Sequence, residues 1–209
     1  MENMKIQGLY AIIDNSIRPE LSNIEIAKRV LPGGTKIVQL RGKGLSSKEL
    51  LEQAREIREL TRKAGATFIV NDRADIAILS DADGVHLGQD DLPIAEARKI
   101  LGREKLIGIS THNLDQALKA EQEGSDYIGF GPVFGTKTKA DAEEAKGIEA
   151  LKEVKKKVSI PVIAIGGINL ENLKEVIDAG ADGVAVISAI VKAENIEETT
   201  KRFIEAFKR

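Results

Sequence analysis

The feature that most constrains this chain is an alternation. Eight short apolar runs recur along it: GLYAIID, TKIVQLR, TFIVND, GVHLG, LIGIS, YIGFGP, PVIAIGG and GVAVIS. They are rich in β-branched and aliphatic residues, the composition of buried strands. Amphipathic stretches lie between them. In SSKELLEQAREIRELTRKAG, residues Leu50, Leu51, Ala54, Ile57, Arg58 and Leu60 make one broad, mostly apolar face. Ser46 or Ser47 is expected to cap the start of that helix and Gly65 to end it. NLENLKEVIDAG is a second such stretch, and Gly124 and Gly180 also follow helical runs and precede strands. Strands alternating with helices imply parallel pairing through right-handed crossovers. Eight units predict a closed (β/α)8 TIM barrel, with residues 1–209 as a single domain. A doubly wound open sheet is the rival. It favours a glycine-rich first turn, whereas the first strand here runs into DNSIRPEL.

Composition narrows the function classes. The formal net charge is −2, so the whole chain is not marked as a binder of nucleic acid or anionic membrane. There is no cysteine, which removes disulfides and thiolate chemistry and fits a reducing compartment. No apolar run approaches a membrane span, and MENMKIQGLYAIID lacks the basic-then-apolar pattern of a signal peptide. A soluble cytoplasmic protein is expected, with neither nucleic acid nor membrane as partner and a homo-oligomer left open.

Against that ordinary background VQLRGKG (38–44) stands out. Side chains alternate along a strand, so Gln39, Arg41 and Lys43 share one face while Val38 and Leu40 take the other. That face carries two cations and an amide where a packed interior would be expected. A barrel supplies a reason. Ligands bind where the C-terminal strand ends gather, and the ends here are QLRGK, VND, HLGQDD, IST, GPVFGTKTK, GGI and VISAI.

Asn71-Asp72 and Asp90-Asp91 follow strands three and four. Their carboxylates could converge on one hard cation such as Mg²⁺, which takes one or two carboxylates plus phosphate and water. Either aspartate could instead cap a helix: Asp72 precedes ADIAIL, and Asp91 precedes Leu92-Pro93. Arg41 and Lys43 could pair with these aspartates or hold an anionic substrate. Burying such a cluster for stability alone is poorly rewarded, which favours the ligand. GTKTKAD brings Thr136, Lys137, Thr138 and Lys139, a loop suited to closing over phosphate or simply exposed. Gly166-Gly167 and Ile187-Ser188 follow strands seven and eight, the barrel's common phosphate site, while Asn169 could cap the next helix. His86 reads as a hydrogen-bonded barrel residue and His112 as a residue capping or orienting the next helix. No HExxH or Cys/His cluster supports zinc.

Together QLRGK, VNDRAD, GVHLGQDD, GISTHN, GPVFGTKTK, AIGGI and VISAI closely resemble the thiamine phosphate synthase family, in that family's order and over nearly the whole chain. The family joins 4-amino-2-methyl-5-hydroxymethylpyrimidine diphosphate to 4-methyl-5-hydroxyethylthiazole phosphate, giving thiamine phosphate and diphosphate. The resemblance implies that Gln39, Leu40, Arg41, Gly42, Lys43, Asn71, Ser110 and Lys139 bind the pyrimidine diphosphate. Asp72 and Asp91 become the Mg²⁺ ligands; Thr136, Lys137, Thr138, Gly167, Ile187 and Ser188 bind the thiazole phosphate. Asp90 and the segment AEEAKG depart from the family's commoner pattern.

The implied reaction is dissociative. Arg41, Lys43 and Lys139 stabilise the departing diphosphate, Ser110 orients the substrate, and the thiazole nitrogen attacks the pyrimidine methylene cation. Two alternatives stand beside it: a thiazole tautomerase using His112 as acid and base, and a non-catalytic phosphate sensor. Lys43, Asp72 and Asp91 argue against the tautomerase, since proton transfer needs no apparatus for a metal diphosphate.

Overall fold

A computed structural model describes residues 6–136 and 144–207. Eight strands close on themselves: β1 (Gly8–Ile13), β2 (Ile37–Leu40), β3 (Thr67–Asn71), β4 (Gly84–Leu87), β5 (Leu106–Thr111), β6 (Tyr127–Phe130), β7 (Val162–Ile165) and β8 (Gly183–Val186). Every pairing is parallel, and β1 meets β8 with Leu9 opposite Val184. That closure excludes the open doubly wound sheet.

The helices between strands are α1 (Asn23–Val30), α2 (Ser47–Ala64), α3 (Ala74–Leu79), α4 (Ile94–Leu101), α5 (Leu114–Gln122), α6 (Gly147–Lys157) and α7 (Leu173–Asp178). After β8 come the short α8 (Ser188–Val191) and then α9 (Ile196–Ala206). The α2 boundaries follow from local chemistry. The Ser46 hydroxyl accepts from Glu49 N–H, and the Glu49 carboxylate accepts from Ser46 N–H in return, a reciprocal cap. Gly65 ends the helix at φ 60°, a left-handed geometry that a Cβ would strain. Leu50, Ala54, Ile57 and Thr61 face the barrel. The step of three or four residues between them is one helical stripe.

The second quoted stretch starts later than its sequence implies. Asn169 Oδ1 accepts from the N–H groups of Glu171 and Asn172, forming a turn, and α7 begins only at Leu173.

At the N-terminal ends of the strands an aspartate pattern repeats. Asp83 accepts from Phe68 N–H and Arg58, Asp126 from Ile107 N–H and Arg98, and Asp182 from Val162 N–H and Lys155. Each residue immediately precedes an even-numbered strand and ties the preceding odd strand to a cation on the helix that leads into that odd strand. Hydrogen bonds to charged groups contribute about 1.5–3 kcal/mol each when buried. These anchors lie at one end of the barrel and leave the other for chemistry.

Candidate active site

At the C-terminal strand ends, a cavity of about 530 Å³ is lined from every strand between β2 and β8. Along the QLRGK segment, exposure rises stepwise. Gln39 is 2% exposed and its Nε2 donates to the Tyr10 hydroxyl inside the barrel, at 2.7 Å. Arg41 is 9% exposed and pairs through Nη1 with the Asp14 carboxylate. Lys43, with a half-exposed side chain, stands 3.9 Å from Asp72 Oδ2. Arg41 and Lys43 line the cavity. Gln39, Leu40 and Gly42 do not. Leu40 is fully buried, and a Cβ at Gly42 would come within 2.8 Å of Leu45 and 2.9 Å of Leu50.

Asn71 and Asp72 follow on β3. Asp72 has φ 64° and sits at the centre of a three-residue turn closed by Arg73 N–H on the Asn71 carbonyl, at 2.8 Å. A non-glycine residue at positive φ in so tight a turn stores strain, a feature that clusters at functional sites. Its N–H also donates to the His86 carbonyl of β4. Neither aspartate caps a helix. The residues at the N-caps of α3 and α4 are Arg73 and Pro93, and neither helix has a side-chain cap bond. Asp91 Oδ2 accepts instead from Gly88 N–H at 2.6 Å.

Burial raises the Asp72 pKa to about 6, reinforced by the neighbouring Asp91 carboxyl; Lys43 and Arg41 oppose the shift only partly. Two carboxyls this close, with Lys43 only loosely paired to one of them, form a hard-oxygen donor pair. Such a pair fits Mg²⁺ completed by substrate oxygens and water. Among the described residues no group of three or more His, Cys, Asp or Glu forms an all-protein metal cage.

Ser110 of β5 lines the cavity, and its hydroxyl meets His86 Nε2 at 3.0 Å. Its carbonyl accepts from Gln89 Nε2 at 2.6 Å. His112 also lines the cavity; its Nδ1 lies 2.6 Å from the Gly131 carbonyl, which can only accept, so that nitrogen carries the proton. Asn113, not His112, caps α5.

On the opposite rim stand Thr136, Gly166, Gly167, Ile187 and Ser188. Gly167 has φ 66°, and a Cβ there would lie 2.7 Å from the Gly135 carbonyl oxygen and 2.8 Å from Phe134 Cβ. The β7 loop can pass the β6 loop this closely only without a side chain. Lys137, Thr138 and Lys139 lie outside the described residues.

Sequence reasoning missed Asp14, Gln89 and the tyrosines Tyr10 and Tyr127. The one available signal was Asp14 itself, a carboxylate directly following an otherwise apolar strand.

Comparison with known proteins adds the following. Residues 9–190 match a family model described as thiamine monophosphate synthase. A thiamine-phosphate synthase of Methanospirillum hungatei is 50% identical over 198 residues, spanning 95% of this chain and 96% of the relative. That of Chloroflexus aurantiacus is 46% identical over 194 residues, spanning 93% and 89%. Among solved structures, thiamine phosphate pyrophosphorylase from Pyrococcus furiosus superposes with a TM-score of 0.89 at 41% identity, covering 97% of this chain and 96% of that one.

Proposed function

The chain belongs to the thiamine monophosphate synthase family and is a transferase, and from that premise we propose how its barrel mouth carries out the synthase reaction. The substrates are 4-amino-2-methyl-5-hydroxymethylpyrimidine diphosphate and 4-methyl-5-hydroxyethylthiazole phosphate; the products are thiamine phosphate and diphosphate. One observation carries the assignment of sites. Arg41, Lys43 and the Asp72/Asp91 pair occupy one rim of a single cavity, and Gly167 and Ser188 occupy the facing rim. A cationic rim with a carboxylate pair suits a diphosphate; a glycine loop beside the start of a strand-eight helix suits a monophosphate.

Arg41 binds the diphosphate with a guanidinium already oriented by Asp14. Lys43, more exposed and mobile, follows the negative charge as the carbon–oxygen bond breaks. Asp72 and Asp91 would hold Mg²⁺, which would supply charge neutralisation at the diphosphate. Ser110 orients the pyrimidine diphosphate, joined by Asn71 and, from the sequence resemblance, Lys139. Gln39, Leu40 and Gly42 support that strand from beneath or behind the cavity. Thr136, Gly167, Ile187 and Ser188 seat the thiazole phosphate, with Lys137 and Thr138 assigned by resemblance. The thiazole nitrogen then attacks the pyrimidine methylene cation. Excluding water from the filled site would protect that cation until capture.

The barrel, as one domain, carries the whole activity. No helix among the described residues is long and apolar enough to cross a membrane. We place the enzyme in the cytoplasm, acting on small molecules. His112 at the cavity wall is the observation that favours a tautomerase, but that reaction leaves Lys43, Asp72 and Asp91 without a role. Product analysis with both substrates, with and without Mg²⁺, tests the assignment. Thiamine phosphate formed only with metal is the expected result. A tautomerised thiazole phosphate with no coupled product would overturn it.

A further inference from the structure

Inside the barrel, from beneath the cavity up to its wall at Ser110, five polar side chains from five strands form one continuous line. Gln39 Nε2 donates to the Tyr10 hydroxyl at 2.7 Å, and Tyr10 meets the Tyr127 hydroxyl at 2.9 Å. Tyr127 meets His86 Nδ1 at 3.2 Å, and His86 Nε2 meets Ser110 Oγ at 3.0 Å. Both tyrosines are essentially solvent-free, at 1% and 0% exposure, and burial raises both phenol pKa values, so each keeps its single proton. The arrangement takes deliberate room. A Cβ at Gly108 would lie 2.1 Å from Tyr127 Cζ, so the ring occupies the space a side chain would fill.

The line has a direction. With Gln39 donating to Tyr10, the Tyr10 proton needs an acceptor, and among the described residues its remaining partner is the Tyr127 oxygen. The Tyr127 proton then goes to His86 Nδ1. A neutral imidazole that accepts at Nδ1 carries its proton on Nε2, so it donates to Ser110 Oγ. The Ser110 proton is thereby left for the cavity. With the Gln39 amide in this orientation, the reversed chain would bury the Tyr10 proton without an acceptor, a loss of about 1–3 kcal/mol.

We infer that His86 is a positioning residue, held by Tyr127 in its Nε2–H tautomer, that fixes Ser110 as a hydrogen-bond donor toward the pyrimidine diphosphate. This rests on the reading of Ser110 as a contact of that substrate. An acceptor-only diphosphate oxygen, or a ring nitrogen of the pyrimidine, then meets a hydroxyl already turned the right way. No rotor reorganises at binding.

The test has two arms. In the wild-type enzyme, ¹⁵N-histidine spectroscopy at neutral pH reads the His86 tautomer without substrate and without any variant that must fold. Nε2–H is expected, shifting toward a mixture in Tyr127→Phe; a proton on Nδ1 overturns the inference. In the kinetic arm, His86→Leu is expected to lower kcat/KM for the pyrimidine diphosphate about 10- to 100-fold. His86→Gln, which keeps an N–H near the Nε2 position, should restore much of it. Placed on Ser110→Ala, His86→Leu should cost little more, because both changes remove the same donor. Multiplied losses in the double variant overturn the relay while leaving Ser110 as a substrate contact. A Ser110→Ala enzyme with wild-type kcat/KM overturns the substrate reading itself, and the relay's purpose with it.

Discussion

Nη1 of Arg41 and the carboxylate of Asp14 form an ion pair across the C-terminal ends of β2 and β1, with both residues almost wholly buried. Arg41 Nε, also buried, has no hydrogen-bond partner. The pair thus holds the guanidinium by one nitrogen at the cavity wall.

Two consequences follow for Asp14. It accepts from Ser16 N–H as well, so it fixes the turn after β1. Removing one member of a buried pair strands the other charge, which costs about 3–5 kcal/mol. Asp14→Ala should lose stability of that order in urea unfolding. Asp14→Asn, which retains an oxygen for the turn, should lose less and mainly raise KM for the pyrimidine diphosphate. An Asp14→Asn enzyme with unchanged KM would separate Asp14 from Arg41's function.

The Asp72/Asp91 pair gives the pH dependence a sign. In the folded metal-free chain Asp72 titrates at about 6 against a usual 3.8, so the folded state holds the extra proton. That contribution to stability is complete below about pH 3.8 and is lost as pH rises through about 6. Asp72→Asn mimics the protonated form. It should match wild type at pH 4 and exceed it at pH 7.5 by about 1 kcal/mol, the side chain being partly exposed and screened. Adding Mg²⁺ should close that gap in the wild type only. A gap unchanged by Mg²⁺ would remove these carboxylates from the metal site.

Gly167 offers a probe of the other substrate. Valine there meets the Gly135 carbonyl and Phe134, and it must also adopt a φ of 66°. Gly167→Val should weaken thiazole-phosphate binding by tenfold or so, about 1.4 kcal/mol, with pyrimidine-diphosphate affinity largely kept. Calorimetry with each substrate separately decides it. The reverse pattern would mean that the two pockets are exchanged.

The strands and their order were legible because parallel barrel strands are buried on both faces and read as unbroken apolar runs. Capping chemistry likewise placed the α2 ends, Gly65 to the residue and the start to one of two serines, of which Ser46 is the cap. What the sequence hid is non-local. Tyr10 and Tyr127 are separated by 117 positions and meet only through barrel register. Asp14 looks like any turn residue until closure brings it to Arg41. Gln39 shares a strand face with Arg41, yet lies one layer deeper, below the cavity rather than in it. Alternation assigns a face; depth along the barrel axis needs the shear of the closed sheet.

Lys43 decides what the charged end of β2 is for. Its ammonium stands 3.9 Å from Asp72 Oδ2 with about half of its side chain in solvent, so it is neither buried nor tightly paired. An exposed pair at that separation contributes little to stability, about 0–1 kcal/mol, and Lys43→Ala should fold normally by circular dichroism. The functional cost should be larger. Negative charge concentrates on the diphosphate as its carbon–oxygen bond breaks, so a mobile cation interacts more strongly with the transition state than with the bound substrate. Truncation should lower both kcat and kcat/KM, by an amount approaching the roughly 2.7–4 kcal/mol of a preorganised electrostatic donor, with Arg41 compensating in part. Single-turnover measurement at saturating substrates isolates the chemical step. An unchanged chemical rate beside a raised Kd for the diphosphate would make Lys43 a ground-state anchor. A slower chemical step at preserved affinity is the expected outcome, and it would explain why an apolar strand ends in two cations at the cavity rim.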